Sequence, residues 1–289
     1  MILVTSAYGN NGRKLIPRLA DMGLDVRALN LSDKTDKLKE LGAKEVIIGN
    51  ALDPNILDQA MDDIKSVFHV GPSFHPQEAE MGISVIDAAS RSGVKHFVYD
   101  SVLHPQITEL LQHRMKLRVE QHLINSNLNY TILQPMHYMQ NIDIESVYVQ
   151  GVFIQASVLE TPLSFVDMDD KVDVAVKVLT EDGHYGATYE LCCDDNLNAI
   201  EIAELMTRVM GKDIKARLVP PEVIISGFQR AFPEYGDYPA KGFKALFDYY
   251  SKYGFVGNSN VLKMLLSGNP TTLEEYIEKE YKKISKIVH

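Results

Sequence analysis

Apolar residues in the first half of the chain fall into short unbroken runs, separated by longer stretches in which they recur every three or four positions. Runs such as Val46-Ile47-Ile48 lack the polar alternation of a half-exposed strand, as expected where helices cover both faces of a sheet. The longer stretches have helical spacing: residues 13–22 place Leu15, Ile16 and Leu19 on one face, and Gly23 closes the helix. Read this way, the chain predicts a first strand from Ile2 and further strands at 25–30, 45–48, 66–70, 96–99 and 130–133. Helices are predicted near 33–41 and at 54–61, 77–92 and 111–126. The alternation predicts an α/β fold with a doubly wound, mainly parallel sheet.

Beyond residue 145 the rhythm loosens. Short strands are predicted at 147–157, 163–166 and 188–192, with a helix at 170–179 from its Val172, Ala175, Val176 and Leu179 stripe. From residue 200 the chain reads as mostly helical, over 200–210, 221–232, 241–253, 260–266 and 273–287. The organisation expected is a nucleotide-binding core at 1–150, to which segments of about 163–192 return, and a smaller, mostly helical C-terminal lobe at 193–289. Ligands of such sheets bind beyond the carboxyl ends of the strands, where the lobe is expected to supply a second wall.

Composition narrows the function classes. The formal charge is −10, from 29 basic and 39 acidic residues, and no basic and aromatic cluster offsets it, which argues against a nucleic-acid partner. No apolar stretch approaches the roughly 20 residues of a bilayer span, and Met1 leads straight into the first strand, so a cytoplasmic protein without a membrane partner is expected. The two cysteines, Cys192 and Cys193, are neighbours in a predicted strand and face opposite sides, which suits neither a disulfide framework nor a thiol metal site. No His, Cys or acidic spacing predicts a metal.

Chemistry first shows in the opening twelve residues. The apolar strand runs into Ser6-Ala7-Tyr8-Gly9-Asn10-Asn11-Gly12 and then into a helix, which gathers backbone N–H groups and a helix N-terminus at one point, an arrangement suited to a pyrophosphate. Against a Gly-x-x-Gly-x-x-Gly template, Ser6 takes the first glycine position, and Gly9 and Gly12 take the others. The same residues also suit an ordinary strand-to-helix turn.

Several further blocks, in order, extend this signal over nearly the whole chain. Val26-Arg27-Ala28-Leu29, Gly49-Asn50-Ala51-Leu52-Asp53, the segment 90–99, Lys116-Leu117-Arg118-Val119-Glu120, the segment 130–139 and the closing Pro270-Thr271-Thr272-Leu273-Glu274-Glu275-Tyr276 resemble the NmrA-like family, an atypical branch of the short-chain dehydrogenases/reductases. The resemblance implies a Rossmann-type core that binds NAD(P). It admits two activities: an NAD(P)H-dependent reductase of a quinone-like or enone/carbonyl small molecule, or a dinucleotide-binding redox sensor that acts through a protein partner.

Departures from the family pattern bear on cofactor choice and on catalysis. Relatives often carry Arg after the second strand for the 2′-phosphate of NADP, or an acid just before it for NAD; this chain has Leu31 and Asn30. Ser32 and Lys34 remain as phosphate contacts, with Asn30 on the ribose and Asn50 beside the adenine, so NADP is expected and NAD is possible. Lys116 fits the family's nicotinamide-side lysine, but Gln112 stands four residues earlier, where related enzymes place a tyrosine acid. His113 is the substitute proton donor, Ser101 or its neighbour Val102 takes the place of the hydroxyl group, and Gly71-Pro72 and Pro135-Met136 are the segments expected beside the cofactor. Tyr138, Phe165, Phe247, Tyr249, Tyr250, Tyr253 and Phe255 serve either as a pocket for a flat, apolar substrate or as core; His104 and His137 either line the cleft or are structural.

Overall fold

The computed structural model describes residues 1–288. Six strands alternate with five helices in the first half: β1 (Ile2–Thr5), α1 (Asn10–Asp21), β2 (Val26–Asn30), α2 (Thr35–Glu40), β3 (Glu45–Ile48), α3 (Pro54–Met61), β4 (Ser66–Val70), α4 (Glu78–Arg91), β5 (His96–Asp100), α5 (Leu111–Ile124) and β6 (Tyr130–Pro135). There follow α6 (Ile144–Gln150), β7 (Val152–Gln155), β8 (Leu163–Ser164), α7 (Met168–Thr180) and β9 (Ala187–Leu191). The remainder is β10 (Asn196–Leu197), α8 (Ala199–Met210), β11 (Lys215–Leu218), α9 (Pro221–Ala231), α10 (Tyr238–Tyr253), α11 (Asn260–Leu266) and α12 (Leu273–Val288).

The main sheet has the order β3-β2-β1-β4-β5-β6-β9. The pairs from β3 to β6 are parallel, and β9 continues in the same direction, with Gly186 N–H donating to Tyr130 O and Met136 N–H to Leu191 O. The order reverses beside β1, so the ends of β1 and β4 border the crevice where such sheets bind ligands. Both sheet faces are covered: β1, β2 and β5 are buried along their whole length, and Leu3, Val67, Phe97 and Ile132 pack with Leu57, Val85 and Val119 of the helices. The chain divides into two compact units, one of residues 1–108, 112–135 and 171–189, the other of 109–111, 136–170 and the residues from 190 on.

In the second unit the strand predicted at 147–157 is a helix followed by a short strand. The Asp143 carboxylate accepts Ser146 N–H at 2.9 Å and starts α6, and Gly151, left-handed at φ 69°, ends it before β7. Apolar Val147 thus lies on a helical face, where its spacing from Ile144 suits it equally well. β11, within a region that reads as helical, pairs in parallel with β7, and only β8 remains of the strand predicted at 163–166, paired antiparallel with β10. Two- to four-residue strands give too little alternation for periodicity to detect.

Candidate active site

The glycine turn is shaped by backbone contact. Ser6 adopts φ +47°, a left-handed conformation usual for glycine, and its hydroxyl donates to Val70 O at 2.8 Å. A β-carbon on Gly12 would lie 2.1 Å from Ala7 O, so α1 can pack against the end of β1 only with glycine there. Gly9 is the N-cap of α1, its own N–H donates to Ser6 O, and no side chain caps the helix. The first turn of α1 thus presents backbone donors beside the end of β1.

Asn30 stitches this turn to the following loop. Its Oδ1 accepts Tyr8 N–H at 3.1 Å, and its Nδ2 donates to Ser32 O at 2.8 Å. Three cations face the Tyr8 ring, Arg13 at 5.5 Å, Lys34 at 5.8 Å and Lys37 at 5.9 Å from its centroid. Arg13 and Lys37 are additions to the residues singled out from sequence. Arg13 lies in α1 close after Tyr8 and Lys37 in α2 close after Lys34, and the fold brings these two local groups together. Asn50 lies in the loop after β3, where its side chain accepts Leu52 N–H at 2.9 Å.

At the ends of β4 to β6 the site is made of buried side chains. Lys116 of α5 is 2.9 Å from Glu78 of α4, and the exposures of the two side chains are 8% and 1%. Glu78 also backs Gly71, whose β-carbon would meet the carboxyl at 3.3 Å. Pro72 continues that loop, and its carbonyl accepts His75 N–H. Burial drives the Glu78 carboxyl pKa upward, opposed by the charge and hydrogen bond of Lys116. The Lys116 ammonium is 5.8 Å from the ring centroid of Tyr99, whose phenol burial holds well above its ordinary pKa. Glu78 was not singled out from sequence, where it reads as an acid at a helix start.

The remaining predicted residues fall around this pair. Gln112 is buried on the first turn of α5. His113 is buried, its Nδ1 donates to His104 O at 3.0 Å, and burial lowers its pKa to about 4, so it is neutral at pH 7. Ser101 is buried directly after β5, beside Glu120, whose carboxyl is pushed up by burial while the Gln134 amide donates to it at 2.9 Å. Pro135 ends β6, and its carbonyl accepts Leu103 N–H.

One charged residue that the sequence analysis does not single out is fully buried. Lys171 of α7 has 0% exposed side chain and lies 2.8 Å from Asp100 Oδ1. It also donates to Asn11 Oδ1 at 2.7 Å, and Phe68 offers its ring at 4.7 Å.

In the second unit, Met136 is buried at the start of its segment. His137 is half-buried, its pKa is pushed down to about 4 by desolvation, and it meets Phe165 edge-on at 5.8 Å; Tyr138 bridges in parallel to Val166. Tyr250 stacks on Phe255 at 5.3 Å and both are buried, so this part of the aromatic set is core; Tyr249 and Phe247 are half-buried, and Tyr253 is exposed. Cys192 and Cys193 are free and buried, and burial pushes both thiols up to about 12. Among the described residues no group of three or more His, Cys, Asp or Glu side chains could hold a metal, and no helix is long and apolar enough to cross a membrane.

Comparison with known proteins gives a consistent grouping. The model of the NmrA-like family matches residues 1–277. The (4-alkanoyl-5-oxo-2,5-dihydrofuran-3-yl)methyl phosphate reductase of Streptomyces griseus is 30% identical over 219 residues, 74% of this chain and 76% of the relative. The NAD(P)H azoreductase of Xenophilus azovorans is 29% identical over 220 residues, with the same shares covered. The NADPH-dependent quinone oxidoreductase of Escherichia coli, solved with NADPH, superposes with a TM-score of 0.81 over 97% of this chain and 100% of its own, at 23% identity, and shares the fold.

Proposed function

Because the chain belongs to the NmrA-like family, we propose that it is an NAD(P)H-dependent oxidoreductase that prefers NADP(H) and reduces a small, flat, quinone-like or enone/carbonyl molecule. The glycine turn carries this reading. Its Gly12 position excludes a β-carbon, and the open first turn of α1 offers backbone donors to an anionic diphosphate. The main chain of Ser6, Tyr8, Gly9, Asn10, Asn11 and Gly12 would hold that diphosphate. Asn30, Ser32 and Asn50 would meet the adenosine end, and Lys34, Arg13 and Lys37 gather the positive charge that a 2′-phosphate calls for. Gly71, Pro72, Ser101, Lys116 and Pro135 would border the nicotinamide end.

The bound nicotinamide supplies hydride. Addition of hydride to a quinone leaves an oxyanion that needs one proton. Lys116 can hold a proton on Nζ, and Glu78 fixes the direction of that ammonium. Gln112 occupies the place of the usual tyrosine acid and cannot protonate substrate, which favours acceptors whose reduced anion water can protonate. His113, neutral and donating through Nδ1 to a carbonyl, orders the loop at His104 in this scheme. The azoreductase and the furanone reductase among the relatives support a conjugated acceptor.

Steady-state NADPH oxidation with simple quinones tests the reading. Turnover is expected, with Lys116→Ala lowering kcat/KM about a hundredfold and Gln112→Ala changing it by less than about twofold. NADPH binding without turnover on quinones, enones and aldehydes would overturn the enzyme reading in favour of a redox sensor.

A further inference from the structure

We propose that Lys171 is a positioning residue for the diphosphate of the dinucleotide, and that it acts by holding the Asn11 side chain away from the backbone donors of the glycine turn. This rests on the nucleotide reading of that turn. An asparagine in the first turn of a helix readily folds its Oδ1 back onto nearby backbone N–H groups, the same donors that an incoming phosphate needs. Here both asparagine acceptors of the turn are engaged elsewhere. Asn10 Oδ1 accepts from Arg13 at 2.6 Å, and Asn11 Oδ1 accepts from Lys171 at 2.7 Å.

The setting of Lys171 is built for holding rather than for chemistry. Its ammonium has three donors: Asp100 takes the charge at 2.8 Å, Asn11 takes a hydrogen bond, and the Phe68 ring lies 4.7 Å away. The side chain has no exposed surface from which to meet a substrate. Burying an ion pair adds little net stability, because desolvation offsets the attraction, so its stability contribution alone does not account for the pair. What the pair does supply is geometry. It ties the start of α7 and the end of β5 to the second residue of α1, across 160 positions of sequence.

The test is affinity, measured by titration with NADPH and with ADP-ribose, alongside urea unfolding of each variant. Lys171→Met is expected to weaken both ligands about tenfold, because Asn11 Oδ1 is released onto the turn. Adding Asn11→Ala in the same chain is expected to recover most of that loss, since it removes the competing acceptor. A merely structural lysine would not be rescued by deleting a second polar side chain. If Lys171→Met fails to fold because the buried Asp100 loses this counter-charge, Asp100→Asn/Lys171→Met takes its place in the same comparison. Unchanged affinity in a folded variant overturns the proposal, as does a loss that Asn11→Ala leaves in place. Wild-type protein that binds neither ligand overturns the nucleotide reading itself, and that result appears before any substitution is made.

Discussion

The glycine turn and the Lys116 region, both in the first unit, are built from different materials. At the turn the decisive groups are main-chain: Ser6 in a left-handed conformation, Gly12 with no room for a β-carbon, and a helix start that no side chain caps. Around Lys116 they are side chains withdrawn from water, where Glu78, Glu120 and Tyr99 all have pKa values raised by burial and His113 has one lowered. A site made of backbone tolerates almost any side chain that leaves its φ and ψ angles and its close contacts alone. A site made of buried charge depends on each partner, because removing one strands the other.

Three substitutions press on this contrast. The largest effect is expected from Glu78→Gln, which leaves the Lys116 ammonium buried without its counter-charge; unfolding in urea should show a loss of about 3–5 kcal/mol. A loss below about 1 kcal/mol would mean that water reaches the pair, and the contrast would fail. Next is Gly12→Val, which must push α1 off the Ala7 carbonyl; overpacking of this kind costs about 1–3 kcal/mol, and NADPH affinity should fall by well over tenfold. A folded Gly12→Val protein with wild-type affinity would remove the turn from the site. The smallest effect falls on the rim. Arg13→Ala should reduce the preference for NADPH over NADH about tenfold, roughly 1.4 kcal/mol, with stability unchanged. An equal loss for both cofactors would put the effect of Arg13 at the diphosphate end, by direct contact or by release of Asn10 Oδ1 onto the turn.

The two regions also differ in how much of them can be read along the chain. The alternation of strands and helices and the turn at residues 6–12 are local patterns, and each fixes its own neighbourhood. Partners joined only by folding leave no such trace. Glu78 meets Lys116 across the α4–α5 contact; the family block around Lys116 marks that residue in the sequence, but nothing local marks Glu78 as its partner. Lys171 sits in Asp169-Asp170-Lys171-Val172-Asp173, a segment that looks like a solvated helix start, and only the placement of α7 beside Asp100 and Asn11 takes it out of water. Arg13 of α1 joins Lys34 and Lys37 of the α2 start because the Tyr8 ring lies close to all three. The Ile144–Gln150 helix escaped for a different reason, since a few apolar residues fit both periods until the Asp143 cap and the Gly151 stop decide between them.

Quinones and enones are electrophiles, and they alkylate thiolates as readily as they accept hydride. The chain has two cysteines, side by side after β9, buried, with thiols pushed up to about 12. At pH 7 a thiol with that pKa is ionised in roughly one molecule in 100,000, and the unionised form is a poor nucleophile. Under the proposed activity, such acceptors would find little to attack at these two thiols. Covalent modification at Cys192 and Cys193 is therefore expected to be slow in the folded protein.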